Sequence, residues 1–229
     1  MIAAELLSTT SLGLGWAVYL PVLAWAAWRA PWVELFSDTR RQHLLFGTVL
    51  AVFLLWLLRR DFASGLSYHL IGMTAVTLLL DWPLAILGGL AAQLGLLVLG
   101  RQDLAAMGIN GVLLVLLPVL VTELCAIWVE RYQPRNLFVY IFCCGFFPAA
   151  LAALVCVLVG LGLLWSDGIF PMPPWLEDFI GYLWLVMFPE AFINGTAVTA
   201  LVVFCPEWLE TFNRTRYLQA PWKDDESPR

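Results

Sequence analysis

Seven apolar stretches, at residues 9–28, 44–58, 63–80, 83–100, 104–128, 137–165 and 179–204, fill most of this 229-residue chain and restrict what it can fold into. A helix crossing a bilayer needs roughly 20 mainly apolar residues to cover about 30 Å of hydrocarbon. Most of the seven approach that length. Hydrophobic residues make up 62% of the chain and charged residues 13%, against about 45–50% and about 25% in an ordinary globular domain. One soluble core of this size cannot bury the excess, so lipid must solvate much of it. The formal charge of −5 argues against a nucleic-acid binder, which would carry a basic patch. Disorder and a disulfide scaffold fall on the same composition.

The expected fold is therefore an all-α integral membrane protein with about seven transmembrane helices. The second stretch is short, which places Trp56 at its interface, and the sixth is long enough to tilt. Asp81-Trp82-Pro83 reads as a tight turn, because proline disfavours helical geometry in the residue before it. Arg101-Gln102-Asp103 marks another boundary. With the N-terminus outside, the cytoplasmic segments hold Arg29, Arg40, Arg41, Arg131, Arg135, Arg214, Arg216, Lys223 and Arg229, and the outer ones only Arg59, Arg60 and Arg101. That bias predicts the N-terminus outside and the C-terminus cytoplasmic, in a bacterial-type inner membrane. The first stretch lacks the basic start of a signal peptide and reads as a retained helix. Residues 1–206 then form a polytopic membrane domain and 207–229 a polar cytoplasmic tail. The chain has no phosphate-binding loop, so any ATP-driven work needs another subunit to hydrolyse the ATP.

Charges inside spans cost roughly 2.5–3.5 kcal/mol on insertion scales and usually face a protein interior. His69, Glu123 and Glu190 are such residues, with Gln93, Asn110, Thr122 and Asn194 as neutral companions. His43, beside Arg40 and Arg41, reads as a solvated interface histidine. A neutral imidazole is a common ligand for nickel, cobalt and zinc, and Met73, four residues after His69, would add a thioether on the same face of a helix. From composition alone, hydrogen-bonded helix packing is the commoner reason for a single histidine, and the residues leave both readings open. Glu123 and Glu190 fit either an ion relay or pairing with helix ends. The five cysteines, 125, 143, 144, 156 and 205, show no chelating spacing and read as apolar filler. Ala26 and Ala30 would let the first helix pack closely, within the bundle or against another subunit. No catalytic constellation is present, and the chain is expected not to be an enzyme.

Three stretches stand out in order: Ser67-Tyr68-His69-Leu70-Ile71-Gly72, Leu104-Ala105-Ala106-Met107-Gly108-Ile109-Asn110-Gly111, and Pro189-Glu190-Ala191-Phe192-Ile193-Asn194-Gly195 with Thr199-Ala200-Leu201-Val202-Val203. Together they resemble the substrate-binding membrane subunit of cobalt and nickel energy-coupling factor transporters. The resemblance implies a seven-helix, N-out layout and a metal held at the outer end of the helices. It implies as ligands the free N-terminal amine, the amide and side chain of a second-position histidine, and the histidine carried over here to His69. This chain begins Met1-Ile2-Ala3-Ala4-Glu5, so isoleucine stands where the chelating imidazole would be. Nickel affinity should fall, since ligand type and geometry select the metal. Either Met1, Glu5, Met73 or Asn110 rebuilds the site around His69, or the guest is another one.

The leading expectation is thus a subunit that captures a transition-metal ion as substrate. It would work in membrane lipid with a coupling transmembrane subunit and cytoplasmic ATPase subunits. The alternative is a non-transporting membrane scaffold or assembly protein built on the same fold.

Overall fold

The computed structural model describes residues 1–61, 65–133, 136–169, 183–212 and 217. Its elements run α1 (Thr9–Arg29), α2 (Trp32–Ser37), α3 (Thr39–Leu57), β1 (Arg60–Asp61), β2 (Ser67–Tyr68), α4 (Met73–Leu80), α5 (Trp82–Val98), α6 (Leu104–Gly111), α7 (Leu117–Tyr132), α8 (Leu137–Tyr140), α9 (Phe147–Ser166) and α10 (Leu183–Phe204). Four helical runs among the described residues are long and apolar enough to cross a bilayer: Thr9–Arg29, Leu104–Tyr132, Leu137–Ser166 and Val186–Phe204. Trp82–Val98 is a shorter apolar helix. The chain is an all-α, multi-pass membrane protein.

Two of the long runs contain a widened turn, at Val112–Leu116 and Ile141–Phe146. Each lies just before a proline, Pro118 and Pro148. A proline has no N–H for the carbonyl four residues back, and a local change of helical register absorbs that loss.

The bundle is greasy outside, and a few polar side chains are buried within its apolar core. Leu14, Val18, Leu20 and Trp25 of α1 are exposed, whereas Gln93, Asn110, Thr122 and Asn194 are buried. The buried polar groups tie helices together. Tyr19 donates to Gln93 (3.0 Å), Gln93 donates to the Met107 carbonyl (3.3 Å), and the Thr74 and Thr122 hydroxyls bond to each other (3.0 Å). Each bond joins different helices, so these side chains act as packing glue.

Helices α1 and α6 meet through small residues. A Cβ on Gly15 would sit 2.5 Å from the backbone nitrogen of Ile109, and one on Gly108 would sit 2.7 Å from that of Trp16. A Gly15→Ala variant should lose about 1–3 kcal/mol, because backbone cannot step aside. Gly13→Ala meets nothing within 4 Å and should leave stability almost unchanged. Thermal unfolding in detergent compares the two. Ala26 and Ala30 are buried in the chain's own core, so they serve the bundle and offer no face to another subunit.

The third apolar stretch departs from the expectation of a membrane-length helix. Among its described residues, Gly65 to Gly72 are not helical, and only the eight of α4 are. Gly72 adopts φ +74°, a left-handed conformation open to glycine, and the chain turns there into α4. Trp56 departs as well. It is fully buried, and its indole N–H donates to the Ile71 carbonyl at 2.9 Å. The polar segment after α10 packs back onto the bundle: Leu209 and Phe212 are buried, and Thr211 donates to the Leu78 carbonyl near the end of α4 (3.0 Å). The remainder of the expected tail, apart from Tyr217, lies outside the described residues.

Candidate functional site

The chain's first three residues form an extended strand laid against Gly65–Ser67. The Met1 amine donates to the Ser67 carbonyl (2.7 Å), the Ser67 N–H to the Met1 carbonyl (2.9 Å), and the Ala3 N–H to the Gly65 carbonyl (2.9 Å). Asn110 clamps the strand from the other side. Its side-chain oxygen accepts the Ile2 N–H, and its NH2 donates to the Ile2 carbonyl, both at 2.9 Å. The Ile2 side chain is buried, its Cδ1 3.7 Å from where a Cβ on Gly160 would stand. An apolar residue in second position therefore anchors the strand in the core.

At its far end this N-terminal segment is tied to α9. The Ser8 N–H and hydroxyl both donate to the Asp167 carboxylate (2.9 and 2.8 Å), as does the Ser11 hydroxyl (2.7 Å). Partial burial alone would raise the Asp167 pKa, but these hydrogen bonds outweigh it and hold the carboxyl below its ordinary value. A carboxylate with a depressed folded pKa stabilises above its unfolded pKa, and that gain is lost as pH falls through the folded value. The clasp should hold from neutrality down to about pH 4 and loosen in stronger acid. Hydrogen exchange at residues 5–12 would show this loosening, and Asp167→Asn should remove its pH dependence.

Glu190 and Asn194 build the entrance to α4. The Glu190 carboxylate accepts the N–H groups of Ile71 (2.8 Å) and Gly72 (2.6 Å), and Asn194 accepts that of Ala75 (2.9 Å). The first N–H groups of a helix have no partner within it; α10 supplies an acceptor to one of them, at Ala75, and to the two residues that lead into α4. Asn194 also donates to Glu190 (2.9 Å), which fixes the carboxylate. Of the two readings of Glu190, pairing with a helix end is the one its contacts show.

His69 stands just before this cap and is 5% exposed. Its Nδ1 faces the Leu70 carbonyl at 2.9 Å. A carbonyl only accepts, so Nδ1 carries the proton and Nε2 is left with a free lone pair. Nε2 is buried with no hydrogen-bond partner. The Trp56 ring lies 5.7 Å from the imidazole, centre to centre.

The Met1 amine interacts electrostatically with this imidazole. Burial, and after it the Arg59 guanidinium, lowers the amine from 8.0 to about 5. At neutral pH it is a free base, the form a metal needs. Arg59 also donates to the Met1 thioether (3.4 Å) and pairs with Asp61 (2.8 Å). The Ser67 hydroxyl, followed by Arg59 and Arg101, keeps Asp61 below the usual carboxylate range. A cavity of about 190 Å³ lies beside the strand, lined among others by Met1, Arg59, Gln102 and Asn110.

Of the four candidate ligands, Met1 and Asn110 meet at the N-terminal strand, with His69 in electrostatic reach of the Met1 amine. Asn110 spends its amide on the Ile2 backbone, and the Met1 thioether faces Arg59. The helical spacing that placed Met73 on the face of His69 does not exist, since the helix begins at Met73, which is fully buried in the core. Glu5 is exposed. Glu123 lies elsewhere, lining a cavity of about 690 Å³ at the opposite end of α4 with Asp81 and Glu210. No group of three or more His, Cys, Asp or Glu side chains placed to hold a metal occurs among the described residues. Arg59, Asp61 and the Ser8–Asp167 clasp had no signal in the sequence, because each works through a partner far along the chain.

A membrane bundle whose N-terminal residues are threaded inward and held by groups of distant segments defines the class: a polytopic membrane protein. The chain belongs to the CbiM family, described as the cobalt uptake substrate-specific transmembrane region, whose model matches residues 2–208. Its fold is similar to two solved structures. One is a truncated transition metal transporter, at 18% identity and TM-score 0.62, covering 88% of this chain and 98% of that one. The other is a transition metal transporter, at 18% identity and TM-score 0.61, covering 88% and 92%. No curated protein matches the sequence.

Proposed function

We propose that this chain is the substrate-capturing membrane subunit of an energy-coupling factor type transporter, and that its substrate is a transition-metal cation. It sits in a bacterial-type inner membrane as about seven spans, with the N-terminus outside and the C-terminus cytoplasmic, as the nine-to-three arginine and lysine bias supports. A coupling membrane subunit and cytoplasmic ATPases supply the work. The observation that carries the reading is the buried, unpartnered Nε2 of His69, in electrostatic reach of an amine that burial keeps uncharged. Two neutral nitrogen donors are then available to one cation, and nitrogen ligands suit nickel, cobalt and zinc.

Elemental analysis of the purified chain tests this. About one equivalent of a transition metal is expected, falling to background in His69→Ala. Metal-free protein from metal-replete cells, or full occupancy in the variant, contradicts it.

The scaffold reading draws on a different observation. The N-terminal strand is hydrogen-bonded by protein groups along its length and anchored by Ile2. Pull-down from membranes separates the two: co-purified ATPases belong to transport, and partner membrane subunits without ATPases belong to the scaffold.

A further inference from the structure

We propose that the Cys156 sulfur is a third donor of this site, making it a nitrogen–sulfur centre; the proposal rests on the metal-capture reading above. Cys156 lies in α9, 7% exposed, and its thiol donates to the Leu113 carbonyl at 2.8 Å. Leu113 follows Asn110, the residue that clamps Ile2, by three positions. Gly160, one helical turn beyond Cys156, is the point that the Ile2 side chain reaches. Helix α9 therefore presents the face carrying Cys156 and Gly160 toward the N-terminal strand. The sulfur interacts electrostatically with Glu190 and with the Met1 amine, and the amine in turn with His69. His69 independently points to a ligand, being a buried imidazole with a bare lone pair. The other buried thiol, Cys144, interacts with Cys125 and Cys143 instead.

Charge explains why a sulfur is needed. A metal takes an amine and an imidazole as neutral donors, and the Arg59 guanidinium beside Met1 is offset by its pair with Asp61. A dication held by these groups alone would be an uncompensated buried charge, which is costly. The Ile2 amide supplies no anion, because its N–H is given to Asn110. A thiolate supplies one negative charge. As the metal–sulfur bond forms, the S–H bond breaks and its proton leaves to solvent, with no change in oxidation state. Thiolate also shifts preference toward softer cations, zinc among the divalent ones.

The test uses the full chain in detergent, titrated with Co2+ and Zn2+. Wild-type protein should show a near-ultraviolet sulfur-to-cobalt charge-transfer band. Cys156→Ser can still donate to Leu113; it should abolish the band and weaken Zn2+ binding at least tenfold. The variant with Cys125, Cys143, Cys144 and Cys205 all changed to serine should keep the band, and it decides the matter if Cys156→Ser does not fold. Cobalt bound without the band, or a band that survives Cys156→Ser, overturns the sulfur donor and leaves metal capture standing. A wild-type chain that binds neither ion overturns both.

Discussion

Glu190→Ala is expected to cost about 2–6 kcal/mol of stability, because two N–H groups lose their acceptor and each unmade bond costs about 1–3 kcal/mol. Those groups belong to Ile71 and Gly72, two and three residues after His69. The turn that holds the imidazole should loosen with them, so metal capture and stability fall together. Glu190→Gln keeps one carbonyl oxygen and should recover about half of the loss. Thermal unfolding in detergent, with hydrogen exchange at residues 69–75, measures both. An unchanged melting temperature in Glu190→Ala would show that water or another group serves the cap.

The second large effect is expected from adding one glycine before Met1. The amine sits 2.7 Å from the Ser67 carbonyl. An added residue turns it into a peptide N–H, and the new amine is carried out of the site. Metal affinity should drop at least 100-fold, or about 2.7 kcal/mol, while the Asn110 clamp on Ile2 keeps the fold. Calorimetric titration of the extended and unmodified chains, with circular dichroism as the control for folding, checks this. Equal affinities would remove the amine from the ligand set.

Much of the fold was legible in the residues for one physical reason: lipid leaves a long apolar run few options other than a helix. The runs that became α1 and the two long proline-interrupted helices are of this kind. The third stretch misled for the same reason. Leu66, Leu70, Ile71 and Met73 are as apolar as any helix, and hydropathy cannot see that Glu190 and Asn194, over a hundred positions later, satisfy a backbone that has left helical geometry. Irregular backbone survives in a membrane protein where other parts of the protein pair with it. The N-terminal strand of Met1–Ala3 and its partner at Gly65–Ser67 do this for each other. His69 and Asn110 stood out because polar groups in apolar runs are rare. Arg59 did not, since an arginine at a span end looks like any interfacial charge until its guanidinium is seen against the Met1 thioether. Cys156 was hidden by chemistry, because a lone thiol among apolar neighbours reads as filler until an amine is found near it.

The account depends on one cation being shared by the Met1 amine and the His69 ring. X-ray absorption on the metal-loaded chain tests that most directly. The predicted spectrum contains nitrogen first-shell donors and the outer-shell scattering of a single imidazole, and the imidazole signal vanishes in His69→Ala. A spectrum of oxygen donors alone, unchanged by that substitution, would contradict it.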